Sequence, residues 1–178
     1  MDGRLALRMI NLIKEIINMC VDNINANILC YKNKDYLSDS DLLRKIIIKE
    51  EGKKKYINDF KLKIYFNFIS NHDSIKRRRN VLDNHGCLKC QIKLEKICGD
   101  YSLFLNMINF EIKLPENEDV YFNKTVNVIC NTPIYLPEDE AEGNYVFNLM
   151  LKRSIEDYED DDWTLQSVYG VSIKSNDD

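Results

Sequence analysis

The sequence contains only two histidines, His72 and His85. A histidine-rich metal site, or a catalytic network built on imidazole, has little material to work with. Long apolar runs are also missing. No window reaches the roughly 18 uncharged apolar residues that a membrane span requires. The opening Met1-Asp2-Gly3-Arg4 does not have the plan of a secretory signal, because Arg8, Lys14 and Glu15 break the apolar stretch behind it. There is no glycine-rich phosphate loop, no nucleophile elbow and no HExxH pair. These absences argue for an intracellular chain with no membrane span, no enzymatic activity and no cofactor.

Alanine is scarce too, with 3 residues against 21 Ile, 20 Asn and 18 Lys. Ile, Asn and Lys have A/T-rich codons, so this bias points to an A/T-rich genome such as that of a parasite or a large DNA virus. The chain has 178 residues, 44% hydrophobic and 30% charged, enough to bury a core. Its net charge of −4 argues against a nucleic-acid coat, while leaving room for a local basic patch. Six cysteines are expected to be thiols packed as small hydrophobes, as suits a reducing compartment.

Apolar residues at Leu5, Met9, Leu12, Ile13, Ile16, Cys20, Ile24 and Ile28 follow the three-to-four spacing of one helix face, so residues 4–30 read as one long helix. Its asparagines between Asp22 and Asn27 offer a place to break. Such a stripe more often meets a core or a partner helix than a membrane surface, and it offers a homodimer face. A second helix is expected from about Asp39 to Glu51, with Ser38 or Ser40 as cap, Asp41 three residues after Ser38 as a capping-box variant and Gly52 in the left-handed closing position. From Phe60 the period changes to two. Phe60, Leu62, Ile64, Phe66 and Phe68 alternate with polar or smaller neighbours. Strands also fit Leu88–Ile97, 109–114, 126–130, 145–151 and 163–173. In the last, Leu165, Tyr169 and Val171 are placed on one face. The parity slip between Leu103 and Phe110 suggests a bulge. The expected fold is α+β: helices over 1–58 packed on an antiparallel β-sandwich of about six or seven strands over 59–178.

Three constellations could carry function. Cys87-Leu88-Lys89-Cys90 is a single CxxC with His85 nearby, but zinc needs four converging ligands and redox chemistry prefers a helix start; no metal site is assigned. Lys76, Arg77, Arg78 and Arg79 form the strongest basic run, in a loop, and rank first as an interaction site with His85 beside them. No aromatics interleave with them, so single-stranded nucleic acid is disfavoured. Glu156 to Asp162 carries six carboxylates in seven residues, and Glu116 to Asp119 and Glu138 to Glu140 are acidic as well. Such loops could hold calcium if they met at one end, but a meander places the middle loop opposite the other two.

The turn Asp83-Asn84-His85-Gly86-Cys87, entering a Lys-rich alternating strand, resembles the poxvirus host-range factors of the vaccinia small β-sandwich type. Asn71-His72-Asp73 upstream, and Asp100-Tyr101, Glu118-Asp119-Val120, Thr125-Val126 and Asn131 downstream, keep a similar order and spacing. The resemblance covers roughly residues 60–173. His85 stands where an aromatic is usual, the Arg77–Arg79 run looks particular to this chain, and residues 1–58 have no counterpart. The resemblance implies a non-enzymatic β-sandwich in the host-cell cytoplasm. Such a protein binds a host antiviral protein, typically an interferon-linked sterile-alpha-motif effector, through loops at one end. The competing expectations are a calcium- or membrane-binding sandwich using the acidic loops, and a module that pairs through its N-terminal helix.

Overall fold

A computed structural model describes residues 2–20, 23–69, 87–113, 121–155, 158–159 and 163–176. One helix, α1 (Gly3–Cys20), precedes twelve strands: β1 (Asn23–Lys32), β2 (Lys45–Ile47), β3 (Lys49–Glu51), β4 (Lys54–Ile57), β5 (Phe60–Ile69), β6 (Cys87–Cys98), β7 (Tyr101–Lys113), β8 (Tyr121–Cys130), β9 (Ile134–Tyr135), β10 (Gly143–Ile155), β11 (Tyr158–Glu159) and β12 (Thr164–Lys174). The fold is β-rich.

The helix expected over residues 4–30 stops at Cys20, and β1 takes the remainder. Ile24 and Ile28 are four apart, a spacing that fits a helix face and a strand face equally. The residues between them decide the matter. Ala26 and Ile28 are buried while Asn25 and Asn27 are exposed, a period of two. Asparagine is a poor helix former but fits the solvent row of a strand.

The helix expected from Asp39 to Glu51 is also absent. Its cap does form: the Asp41 carboxylate accepts from the Ser38 N–H at 2.9 Å and from the Ser38 hydroxyl at 3.1 Å. Only a single 3-10 turn, Asp39–Asp41, follows. Ile46 to Ile48 are three successive β-branched residues, stiff at χ1 and suited to a strand. Ile46 and Ile48 are buried and Ile47 is exposed. The segment before them is tied down elsewhere. The Leu43 N–H donates to the Cys30 carbonyl at 2.8 Å. The Tyr169 hydroxyl donates to the Leu43 carbonyl at 2.6 Å, and the Arg44 guanidinium sits 4.7 Å from the Tyr169 ring centroid. Gly52 does have φ +64, but as the first turn residue of the two-residue β3–β4 hairpin. The helical region expected over 1–58 is therefore helical only as far as Cys20, apart from that one turn, among the described residues.

All six expected strands are present, as β5, β6, β7, β8, β10 and β12. The parity slip in β7 is a bulge: Leu94 lies opposite Asn106 and Glu95 opposite Phe104, leaving Leu105 extra. A second bulge in β12 leaves Gln166 extra, because Leu149 faces Ser167 and Met150 faces Leu165. Leu165 was expected on the face of Tyr169 and Val171. It is instead 52% exposed while those two are buried.

One sheet has the order β1-β5-β8. A second runs β2-β12-β10-β6-β7, with β11 on β10, and a small third is β3-β4-β9. All pairings are antiparallel except β2 with β12. The inward rows of the sheets meet in one core. Phe60 of β5 and Phe147 of β10 approach to 5.7 Å between ring centroids. Tyr145, fully buried, donates its hydroxyl to the Ala141 carbonyl at 2.5 Å, and burial pushes its pKa up to about 12.

We expect Phe147→Ala to cost about 3–5 kcal/mol in denaturant melts, through lost burial and a cavity. Tyr145→Phe is expected to cost about 1–3 kcal/mol, because the Ala141 carbonyl loses its donor. The Asp41 carboxyl is held below its ordinary range chiefly by the Ser38 N–H; burial opposes this, and Lys34, 3.3 Å away, supports it. A lowered folded-state pKa contributes stability above the unfolded pKa and loses it as pH falls through the folded one. The melting-temperature gap between wild type and Asp41→Asn should therefore be present at pH 7 and close only below the ordinary carboxylate range.

Candidate interaction surfaces

The order of the strands decides which loops share an end. β5 ends at Ile69, opposite Asn23 of β1 and Tyr121 of β8. β6 begins at Cys87, opposite Lys113, where β7 ends. Only residues 114–120 join Lys113 to Tyr121, so both large sheets present these termini at one end. β10 also ends here, with Arg153 opposite Leu88. Lys76, Arg77, Arg78, Arg79 and His85 lie in residues 70–86, outside the described residues, as do Glu116 to Asp119. The chain leaves and re-enters the sheets at this shared end to include them. Glu138 to Glu140 precede β10 and so belong to its opposite end, as the meander argument expected. Among the described residues no cluster of three His, Cys, Asp or Glu side chains is placed to hold a metal ion.

The cysteines that are described have the environment of packing groups. Cys30, Cys90 and Cys130 are buried free thiols, and Cys98 is a half-buried one. Burial pushes the Cys90 thiol up to about 12, with Glu111 adding to the effect, and the Cys130 thiol up to about 11. Cys30 is raised further still by burial, with Cys130 contributing. A metal ligand or nucleophile needs the opposite shift. The Cys90 thiol donates instead to the Leu88 carbonyl at 3.6 Å.

Sequence reasoning missed the surface of the second sheet that the described residues leave uncovered. Its outer rows follow from register: Leu165–Met150–Gln91–Asn109, then Val168–Asn148–Lys93–Met107, then Gly170–Val146–Glu95–Phe104. The centre is polar and cross-linked. Gln91 donates to the Asn109 side-chain oxygen at 3.0 Å, and Asn148 donates to the Glu95 carboxylate at 2.9 Å. Large apolar groups stand at both margins. Phe104 is 53%, Met107 41%, Leu165 52% and Val168 51% exposed. Exposed apolar groups grouped at the margins of a sheet face are candidate contact points for another protein. The two bulges create it by turning Phe104 and Leu165 outward, which a strict period of two does not foretell.

No family model matches the sequence, and no curated protein matches it. Among solved structures it is similar to two crystal structures of β-glucosidase from Kluyveromyces marxianus, one selenomethionine-labelled and one in complex with glucose. They share 11% and 12% identity with this chain, at TM-scores of 0.35 and 0.32, over 86% of its residues. The chain spans 14% of the length of each. Likeness at this level carries no argument about fold or activity.

Alkylation of the native protein at pH 7.5 should leave Cys30, Cys90 and Cys130 unmodified, with full labelling only in denaturant. Mass-spectrometric mapping of the labelled peptides reads this directly. Rapid native labelling of Cys90 would contradict its buried, protonated state.

Proposed function

We propose that this chain is a non-enzymatic β-sandwich that binds a host antiviral protein and blocks its restriction of viral translation, in the manner of the poxvirus host-range factors. The β1-β5-β8 sheet and the larger sheet form the two layers, a reading supported by the shared core and the Phe60–Phe147 contact between them. The observation that carries the binding role is the outer face of the larger sheet, uncovered among the described residues, with Phe104, Met107, Leu165 and Val168 exposed around a hydrogen-bonded polar centre. The resemblance supplies the partner class: a host protein linked to the interferon response, met in the host-cell cytoplasm. β6 begins at Cys87, so a strand follows Asp83-Asn84-His85-Gly86 in the chain, which supports the resemblance. Lys76, Arg77, Arg78 and Arg79, with His85, supply steering charge toward an acidic partner surface. The apolar margin residues supply anchors. No helix among the described residues is long and apolar enough to cross a membrane.

The test begins with affinity capture by the tagged full chain from interferon-treated host-cell lysate, read by mass spectrometry. A stoichiometric interferon-linked partner is expected. Binding of the purified partner should fall about tenfold or more when Arg77, Arg78 and Arg79 are all changed to Glu, with an unchanged melting temperature, since exposed charges steer association more than they stabilise the fold. Unchanged affinity would remove the basic run from the interface. Val168→Glu with Phe104→Glu should abolish capture while costing the fold less than about 1 kcal/mol. A folded chain that captures no such partner would overturn the proposal.

A further inference from the structure

α1 presents an apolar face that nothing in the described fold covers. Leu5, Met9, Ile10 and Leu12 are 50%, 48%, 38% and 56% exposed, while Leu7, 59% exposed, falls among the polar positions on the other side. The helix does not depend on tertiary packing to begin. Asp2 caps it, accepting from the Arg4 N–H on its side chain at 3.2 Å and from the Leu5 N–H on its carbonyl at 3.1 Å. On a wheel of 3.6 residues per turn, positions 5, 9, 12, 13 and 16 fall at the centre of the apolar side. With Ala6, Ile10 and Ile17 the apolar arc covers about half the circumference. Such an arc is much wider than the two-in-seven seam through which a pair of helices zips together. The polar side carries Arg4, Arg8 and Lys14 against a single acid, Glu15. Arg8 lies near one border of the apolar arc and Lys14 near the other. A long cationic side chain at such a border can keep its charge in water while its stem lies along the apolar layer.

We propose that α1 is an in-plane membrane anchor: it lies in the interface of an anionic lipid bilayer with its apolar side buried among the acyl chains and its cations at the headgroups. The wide apolar arc, the bordering cations and the exposure of Leu5, Met9, Ile10 and Leu12 all fit one broad amphipathic environment. They fit a narrow helical seam poorly. An in-plane position also agrees with the length and charge of the helix, which do not permit a crossing. The β-rich body does not enter the bilayer. It is held beside the membrane through the connection from α1 to β1. This inference concerns where the protein acts and is independent of which partner the sheet face binds.

The full chain would be tested by co-sedimentation with phosphatidylcholine vesicles, alone and with about one-third phosphatidylserine, at low and high salt. Binding to the anionic vesicles is expected, weakened by salt. Leu5→Asp with Leu12→Asp should lower the partition coefficient by about 100-fold or more, because two leucine side chains leave the acyl layer. Arg4→Gln with Arg8→Gln should lower it by about tenfold or more, since each headgroup cation contributes about a fivefold factor. Both variants should keep the wild-type melting temperature, since the altered residues lie outside the core; this separates loss of anchoring from loss of fold. A folded wild-type chain that stays in the supernatant with both kinds of vesicle would overturn the proposal. So would a chain that ignores vesicles but forms a dimer dissociated by the double Asp variant, which would assign the face to a second copy.

Discussion

β5 is hydrogen-bonded on both sides along its whole length, to β1 and to β8, while Phe60, Leu62, Ile64, Phe66 and Phe68 all point inward at 3% exposure or less. A slip of one residue against either neighbour would send five large apolar side chains to the opposite face. Each is worth roughly 1.5–3 kcal/mol when buried, so the register has no competitor of similar energy. The position of β1 follows from this row. Ala26, Ile28 and Cys30 are buried because β5 fixes which side of β1 faces inward. Phe60 then meets Phe147, so the same row also locates the larger sheet.

The larger sheet is organised differently. Its inner rows complete the core, but two bulges interrupt its outer face. Leu105 in β7 and Gln166 in β12 are the extra residues, and the strand beyond each reverses its facing. Apolar residues that an unbroken strand would bury are thereby delivered to solvent. Bulges recur at sheet edges and beside functional sites, where they re-aim side chains. The functional reading rests on that geometry together with the segments that leave the sheets at the end marked by Ile69, Cys87, Lys113 and Tyr121. β1, which follows α1 in the chain, begins at this same end, at Asn23.

Much of the fold was legible in residue order. The alternation from Phe60 to Phe68 names a strand because no helix spacing fits it. The slip in parity near Leu105 announced a bulge. The region before residue 58 was misread for two separable reasons. Ile24 and Ile28 satisfy both periods, and the alternation of Asn25, Ala26 and Asn27 between them, paired with β5, selects the strand. Ser38 and Asp41 form a genuine cap, but caps promise only a first turn. The three isoleucines after it gain more from β2 and its neighbours than from continuing a helix. The candidate site was less legible still. Charge runs are visible in any sequence, so Lys76 to Arg79 drew attention. The sheet face carrying Phe104 and Val168 has no local signature, because its residues come from four strands.

By itself the sequence determined that this chain folds around strands with a charged, amphipathic helix ahead of them, since periodicity and charge are local properties. It also determined the position of one bulge. Tertiary structure alone decided which ambiguous segments became strands, which faces met in the core and which stayed uncovered. Those outcomes depend on hydrogen-bonded partners far away in the chain, and long-range pairing energy outweighs local propensities of a few tenths of a kcal/mol per residue.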